Sequence, residues 1–445
     1  RQELIALASK HLWHNFGVAA DPSKAPKLLV RGEGVYVYDD EGKRYLDSFA
    51  GLLTTICGYH RPEVHKAVQD QMAKLEFFPL GYDCVLEPIV RLAKKLADVT
   101  PGDLSVAFFV NDGSEACETA IKMARNYFFV KGERSRNKII FRRGSYHGAT
   151  GLALSATGLS GNREPYEPLA PGFTHVMHAQ CYRCELKLNP ASWQPACLQN
   201  LEQTILWERP ESVAAVIMDP IPGSNTGFPV PPDGYLQGVR RLCDKHGILL
   251  IFDEVQVGFG RTGKWFACEN WGVTPDFLCV AKGFSGGFLP IGACVTTEKI
   301  AETFRTKGGF RHVHTFAGHP VTCASALACI EIIEREGLVQ KAAEMGKYLS
   351  EKLWALHRKH PIIGDVRGMG TLWAVEMVAN RETREYLNPR GQMGKRVNDY
   401  CRANGMILRN NSDILVLAPA LSITHAEADE MVGIMDQAVA AATAS

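Results

Sequence analysis

The chain has 445 residues, 46% of them apolar and 22% charged, which excludes a disordered or collagen-like protein and allows a large core. Forty-nine Lys and Arg stand against 48 Asp and Glu, a net charge of +1. No basic excess points to a nucleic-acid surface, and no charge run points to a tail. Length allows two or three domains.

Residues 1–60 read as a polar helix followed by a hairpin. Its arms are Val35-Tyr36-Val37-Tyr38 and Arg44-Tyr45-Leu46, around the turn chemistry of Asp39-Asp40-Glu41-Gly42. From 61 to 320, helical segments at 63–75, 86–98, 114–130 and 233–246 alternate with short apolar strands. The strands are Val106–Val110, Lys138–Phe141, Val213–Met218, Ile248–Phe252 and Phe277–Ala281. Continuous apolar strands between helices predict an α/β fold with a mainly parallel sheet buried on both faces. After a helix at 321–336, the chain turns to α+β, with strands Leu372–Val378 and Ile414–Leu417. The expected division is a large domain at 61–320 and a small one built from 1–60 and 321–445.

No apolar stretch approaches the roughly 18 residues of a membrane helix, and the opening Arg1-Gln2-Glu3-Leu4 shows no signal-peptide pattern. The 13 cysteines mostly sit in apolar runs (Cys279, Cys323, Cys329) and read as small core residues. A cytoplasmic setting is expected.

In open α/β sheets, ligands bind beyond the carboxyl ends of strands. Five strand ends carry chemistry here. Val110 leads to Asn111-Asp112-Gly113-Ser114-Glu115, Phe141 to Gly144-Ser145-Tyr146-His147-Gly148, and Met218 to Asp219-Pro220. Phe252 leads to Asp253-Glu254-Val255-Gln256, and Ala281 to Lys282-Gly283. Each part also has a plain structural reading. Asn-Asp-Gly-Ser can be only a turn and N-cap, Tyr146 a core tyrosine, and Asp253 with Lys282 a buried ion pair. Pyridoxal 5′-phosphate (PLP) uses all the parts together. It needs a lysine for a Schiff base, a carboxylate for the pyridine nitrogen, and a helix start for its phosphate.

With these motifs the chain resembles the class III aminotransferases, PLP enzymes of fold type I. The resemblance rests on Asn111–Ala116, Tyr146-His147-Gly148, Leu249–Gly263, Ala281–Gly287 and His314–Pro320. It implies that Lys282 forms the Schiff base and that Asp253 pairs with the pyridine nitrogen. Gly113 and Ser114 would hold the phosphate. Tyr146 would stack on one ring face with His147 beside it, and Val255 would lie on the other. Gln256 would lie near the ring hydroxyl. Thr315 would reach the phosphate of a neighbouring subunit, which implies a homodimer, with tetramers known in the family.

Within the family, His11-Leu12-Trp13-His14, Gly51-Leu52-Leu53 and Gly405–Arg409 are similar to enzymes that pair ω-amino acids, taurine or amines with pyruvate. There Arg409 would bind the carboxylate of pyruvate or alanine, and Leu53 and Tyr146 would line the substrate pocket. Donors could be β-alanine, taurine, a diamine or an aryl-alkyl amine. Two departures stand out: Asp219 replaces the usual Glu, and Leu53 stands where many amine transaminases place Trp.

Alternatives are an aminomutase or decarboxylase on the same cofactor, or a nucleotide-binding enzyme using Gly258-Phe259-Gly260-Arg261-Thr262-Gly263-Lys264. The nucleotide reading lacks a magnesium-holding Ser or Thr, because Trp265 follows the lysine. His175, His178, Cys181 and Cys184 recur every third residue, with Cys197 nearby. They could bind zinc, but so tight a spacing strains a tetrahedral site. The expected reading is a polar loop with free thiols and no metal in the catalytic set.

Overall fold

The computed structural model describes residues 1–13, 15, 27–81, 83–187 and 196–444, so that of the motif residues above only His14 lies outside the described residues. The N-terminal part holds β1 (Leu29–Glu33), β2 (Tyr36–Asp39) and β3 (Arg44–Asp47). β2 and β3 form the expected hairpin. Its turn is held by Asp39, whose Oδ1 accepts the N–H groups of Glu41 and Lys43.

The central sheet contains β4 (Leu104–Val110), β5 (Lys138–Arg142), β6 (Phe173–Val176), β7 (Val213–Met218), β8 (Leu249–Asp253), β9 (Phe277–Val280) and β10 (Gly292–Thr297). Their order is β4-β10-β9-β8-β7-β5-β6. β10 runs antiparallel to both neighbours, and the other pairs are parallel. The mainly parallel sheet is thus as expected, with one reversed strand inserted between β4 and β9.

Both faces are covered, and strand parity decides which core each side chain joins. Leu249 and Ile251 pack with Ala116, Cys117 and Ala120 of helix Gly113–Val130. Leu250 and Phe252 pack on the opposite face with Leu92, Val239 and Ile330. Asp253 continues the odd-numbered series and therefore points to the side of helix Gly113–Val130.

The C-terminal part adds β11 (Ile363–Met369), β12 (Leu372–Met377), β13 (Met406–Ile407), β14 (Arg409–Asn411) and β15 (Ile414–Leu417). Four of these form a sheet of order β11-β12-β15-β14. β13 pairs in parallel with β3, so the two ends of the chain share a sheet. Helix Pro320–Arg335 packs against helices Pro62–Met72 and Glu87–Val99 and contributes Cys323, Ile330 and Ile333 to the core of the large sheet. We therefore propose a large unit running from about 61 to 335 and a smaller one built from both chain ends.

Candidate active site

The carboxyl ends of β4, β5, β7, β8 and β9 bring the five strand-end motifs together. Asp112 caps helix Gly113–Val130, its Oδ1 accepting the Glu115 N–H at 2.9 Å. Glu115 folds back, and its Oε2 accepts from Asn111 N and Nδ2 at 2.8 and 2.9 Å. This double cap fixes the helix start and turns its positive end to the site. Gly113 is required there: a Cβ would lie 2.7 Å from Val255 Cγ1. The same contact places Val255 against the helix start. Gly148 has φ +142°, and a Cβ there would lie 2.7 Å from Cβ of Ser114. Ser114 Oγ in turn accepts the Ala149 N–H at 3.3 Å.

Asp253 is only 5% exposed. Its Oδ2 faces Nδ1 of His147 at 2.8 Å, and its Oδ1 accepts the Val255 N–H at 3.0 Å. Burial works against charge on His147, but the Asp253 hydrogen bond prevails and lifts its pKa to about 10. His147 is therefore an imidazolium at neutral pH. Asp219 anchors the other end of the same loop: Arg142 Nη2 and Ser145 Oγ donate to its Oδ1 at 2.9 and 2.7 Å. With Ser145 tied to Asp219 and His147 tied to Asp253, Tyr146 between them is left half-buried. Burial, with Asp253 and Asp112 nearby, raises its pKa.

Lys282 follows β9 in the left-handed region, at φ +51°. Such backbone strain in a non-glycine residue is a mark of functional sites. The residue keeps part of its surface open. Surrounding protein nevertheless desolvates the ammonium and pulls its pKa down, against the pull of Asp253. Arg409 also lowers the pKa of Lys282 and that of Tyr146, so its charge acts inside the same site. On β14, its Nη2 donates to Asn225 Oδ1 at 3.2 Å and its Nε to Asn411 Oδ1 at 3.4 Å. The guanidinium carbon lies 5.3 Å from the centre of the Phe49 ring. Gln256 Oε1 accepts the Ser224 N–H at 3.1 Å. Thr315 lies exposed, beside His314, whose Nδ1 sits 3.3 Å from Glu115 Oε1.

Leu53 does not stand with these groups. It is 2% exposed and packs among Phe49, Ile221, Phe228 and Val257. The preceding residue, Leu52, is 38% exposed and lines a 340 Å³ cavity with Phe49, Arg409 and Asn411. The backbone causes the swap: Ala50, Gly51 and Leu53 all have positive φ, which turns alternate side chains away from a regular helix. Leu52, Asn225 and Asn411 were not singled out from the sequence, since they carry no chemistry of their own. Cys117 was missed for a similar reason, although its place one turn after Gly113 and Ser114 was a usable signal.

The glycine run at 258–263 is no ligand loop. Gly258 through Thr262 are buried, and Arg261 donates to the Ala418 and Pro419 carbonyls. Glu254 seals it further, accepting the N–H groups of Ala267 and Cys268 at 2.8 Å each. His175, His178, Cys181 and Cys184 do not converge. His175 Nε2 lies 2.7 Å from Arg143, and the His178 ring is buried without a partner among the described residues. The one group of described residues with metal-ligand geometry is Cys117, His147 and Asp253.

This strand-end constellation of lysine, buried carboxylate and capped helix start defines a PLP-type site. The chain belongs to the class III aminotransferases: the family model "Aminotransferase class-III" matches residues 18–439. The putrescine–pyruvate aminotransferase of Pseudomonas aeruginosa is 37% identical, covering 95% of this chain and 93% of its own. The taurine–pyruvate aminotransferase of Bilophila wadsworthia is 38% identical, covering 98% and 97%. A solved ω-transaminase from Pseudomonas jessenii, in complex with PMP, matches with a TM-score of 0.95 at 35% identity, covering 99% and 98%. Class III aminotransferases use PLP, and the residues fit it. A capped helix start, a buried carboxylate fixed by hydrogen bonds and a desolvated lysine are the kinds of group that its phosphate, ring nitrogen and aldehyde call for.

Proposed function

We propose that the protein transfers the amino group of an ω-amino acid or primary amine to pyruvate, giving an aldehyde or ketone and alanine. The observation that carries this reading is Arg409, whose charge acts on Lys282 and Tyr146 and two of whose hydrogen bonds run to neutral amides. Such a guanidinium can receive a carboxylate or sulfonate through paired hydrogen bonds. It can also turn aside for an uncharged donor, since bonds to neutral amides are weak, about 1 kcal/mol each.

PLP supplies an aldehyde that takes up the amino group and a ring that accepts electrons. The chain does the rest. Gly113 and Ser114 would hold the phosphate at the positive helix end. Asp253, fixed by His147, would face the ring nitrogen and favour its protonated form. Tyr146 and Val255 would bound the ring, and Gln256 would serve its hydroxyl. Lys282 Nζ, with its lowered pKa, would take and return the proton of the donor's amine-bearing carbon. The two substrates then use one site in turn, which is ping-pong behaviour.

The active unit in this reading is a homodimer. Val313 is 81% exposed and Phe316 59%, beside Thr315, and a second copy seated here would cover them. A second copy would place Thr315 at the partner's phosphate. No helix among the described residues is long and apolar enough to cross a membrane. All 13 cysteines are free, which supports a reducing, cytoplasmic setting.

Visible absorbance tests the reading. The yellow holoenzyme should bleach with β-alanine, taurine, putrescine or an aryl-alkyl amine, and recover with pyruvate. The donor that bleaches fastest is the class. Turnover that needs no pyruvate would replace this reading with an aminomutase. A Lys282→Ala variant should lose turnover by about 10⁴-fold.

A further inference from the structure

One buried side chain touches the site without a role in the reaction described above. Cys117 lies one turn into helix Gly113–Val130, whose first residues form the phosphate seat. Its Sγ sits 3.4 Å from Asp253 Oδ2, as a donor to that oxygen. The same oxygen receives His147 at 2.8 Å, and Oδ1 receives the Val255 N–H at 3.0 Å. Three donors therefore fix the plane of the carboxylate. Val255 belongs to the Asp253 loop itself, and His147 to the loop after β5. Among the described residues, only Cys117 reaches Asp253 from the helix that holds the phosphate.

We propose that Cys117 is a positioning residue, whose thiol ties the phosphate-binding helix to Asp253 and sets the carboxylate's orientation toward the ring nitrogen. The inference rests on the PLP reading of this site. Its logic is geometric. The cofactor is rigid between its ring nitrogen and its ring substituents. A helix start and a carboxylate that grip its two ends must keep a fixed separation. Helix Gly113–Val130 packs on β8 through apolar contacts, which leave sliding freedom, whereas a directional bond between the two does not. A thiol suits the place. It is small enough for the closed space beside Ala116 and Cys279, whose own Sγ donates to the Ala116 carbonyl at 3.5 Å. Cys117 is fully buried, so attack by the thiol on a substrate is not its task.

Two variants of the holoenzyme separate positioning from packing. Cys117→Val fills the space but cannot donate, whereas Cys117→Ser donates but fills less. The measurements are the rate of PLP loss on dialysis and the visible circular dichroism of the bound cofactor, which reports ring orientation. A lost hydrogen bond to a charged acceptor predicts that the Val variant loses PLP about fivefold faster, with altered dichroism. The Ser variant should stay within about twofold of the parent. Should far-ultraviolet dichroism show the Val variant misfolded, Cys117→Ala is read in the same way. Any result in which Ser behaves no better than Val overturns the proposal, including one where both match the parent. Asp253→Asn separates this failure from failure of the underlying reading. If that variant keeps PLP, with the dichroism of the parent, Asp253 does not face the ring nitrogen, and the reading on which this proposal rests falls.

Discussion

The two sides of the site are built differently. On the cofactor side, side chains from separate strand ends are cross-bonded through charges. His147 pairs with Asp253, while Arg142 and Ser145 hold Asp219. On the substrate side, Arg409 is bonded to the neutral amides of Asn225 and Asn411, and segment 50–53 runs through positive φ angles beside an open cavity. Charged, buried bonds hold one geometry, and neutral bonds at a partly open surface allow several. We therefore propose that reaction class resides in the rigid half and donor choice in the adaptable one. The two relatives reported above fit this division, being named for putrescine and for taurine at similar identity to this chain.

Breaking the rigid half should have the largest effect. Asp253→Asn removes the group opposite His147 and, in the reading proposed above, opposite the ring nitrogen. Losing an electrostatic group at the reacting centre raises the barrier by about 3 kcal/mol, which lowers kcat by about 10²-fold whatever the donor. Steady-state kinetics with two donors check this, and a loss confined to one donor would contradict the division. Breaking the adaptable half should be selective. Arg409→Ala should raise KM for pyruvate and β-alanine by about 10- to 100-fold, the value of charge-assisted hydrogen bonds. KM for an uncharged aryl-alkyl amine, read in single-turnover bleaching, should stay within about twofold.

The smallest expected effect is on stability against pH. His147 has a folded pKa near 10, above its ordinary 6.5, because Asp253 overcomes the effect of burial. Its contribution is complete below 6.5 and is lost as pH rises toward 10. His178 shows the reverse. Burial, aided by the charge of Arg142, holds its pKa near 3, so its contribution is present above 6.5 and is lost as pH falls toward 3. Calorimetry should show the melting midpoint falling on both limbs, by about 2 °C per pH unit. His147→Gln should flatten the alkaline limb alone, and His178→Phe the acid one.

Much of this was legible in the chain because it is local. The strands that lead to Asp253 and Lys282 are unbroken apolar runs, and a buried sheet is the one environment that explains them. A carboxylate or an ammonium just beyond such a run must serve a site or find a partner, which singled out Asp253, Asp219 and Lys282. Asp112 and Glu115 announced a helix start by composition. β10 was not legible. Its Gly292-Ala293-Cys294-Val295-Thr296-Thr297 has small residues that suit either strand direction, and pairing sense is decided by neighbours far away in the chain.

The substrate side shows the same limit. Whether Leu52 or Leu53 meets the cavity depends on positive φ angles at 50, 51 and 53, and these are held by tertiary bonds. Asp47 accepts the N–H groups of Phe49 and Gly51 and the hydroxyl of Tyr59. Asn225 and Arg409 are far apart in the chain and meet because β14 packs on the turn at 224–226, where Asn411 Nδ2 donates to the Ser224 carbonyl. The sequence by itself determined the family, the cofactor and the strand ends that serve it, because apolar runs and cap residues act over a few positions. Tertiary structure alone decided which face each donor reached and how Arg409 and Cys117 were seated, because those bonds join elements that only packing brings together.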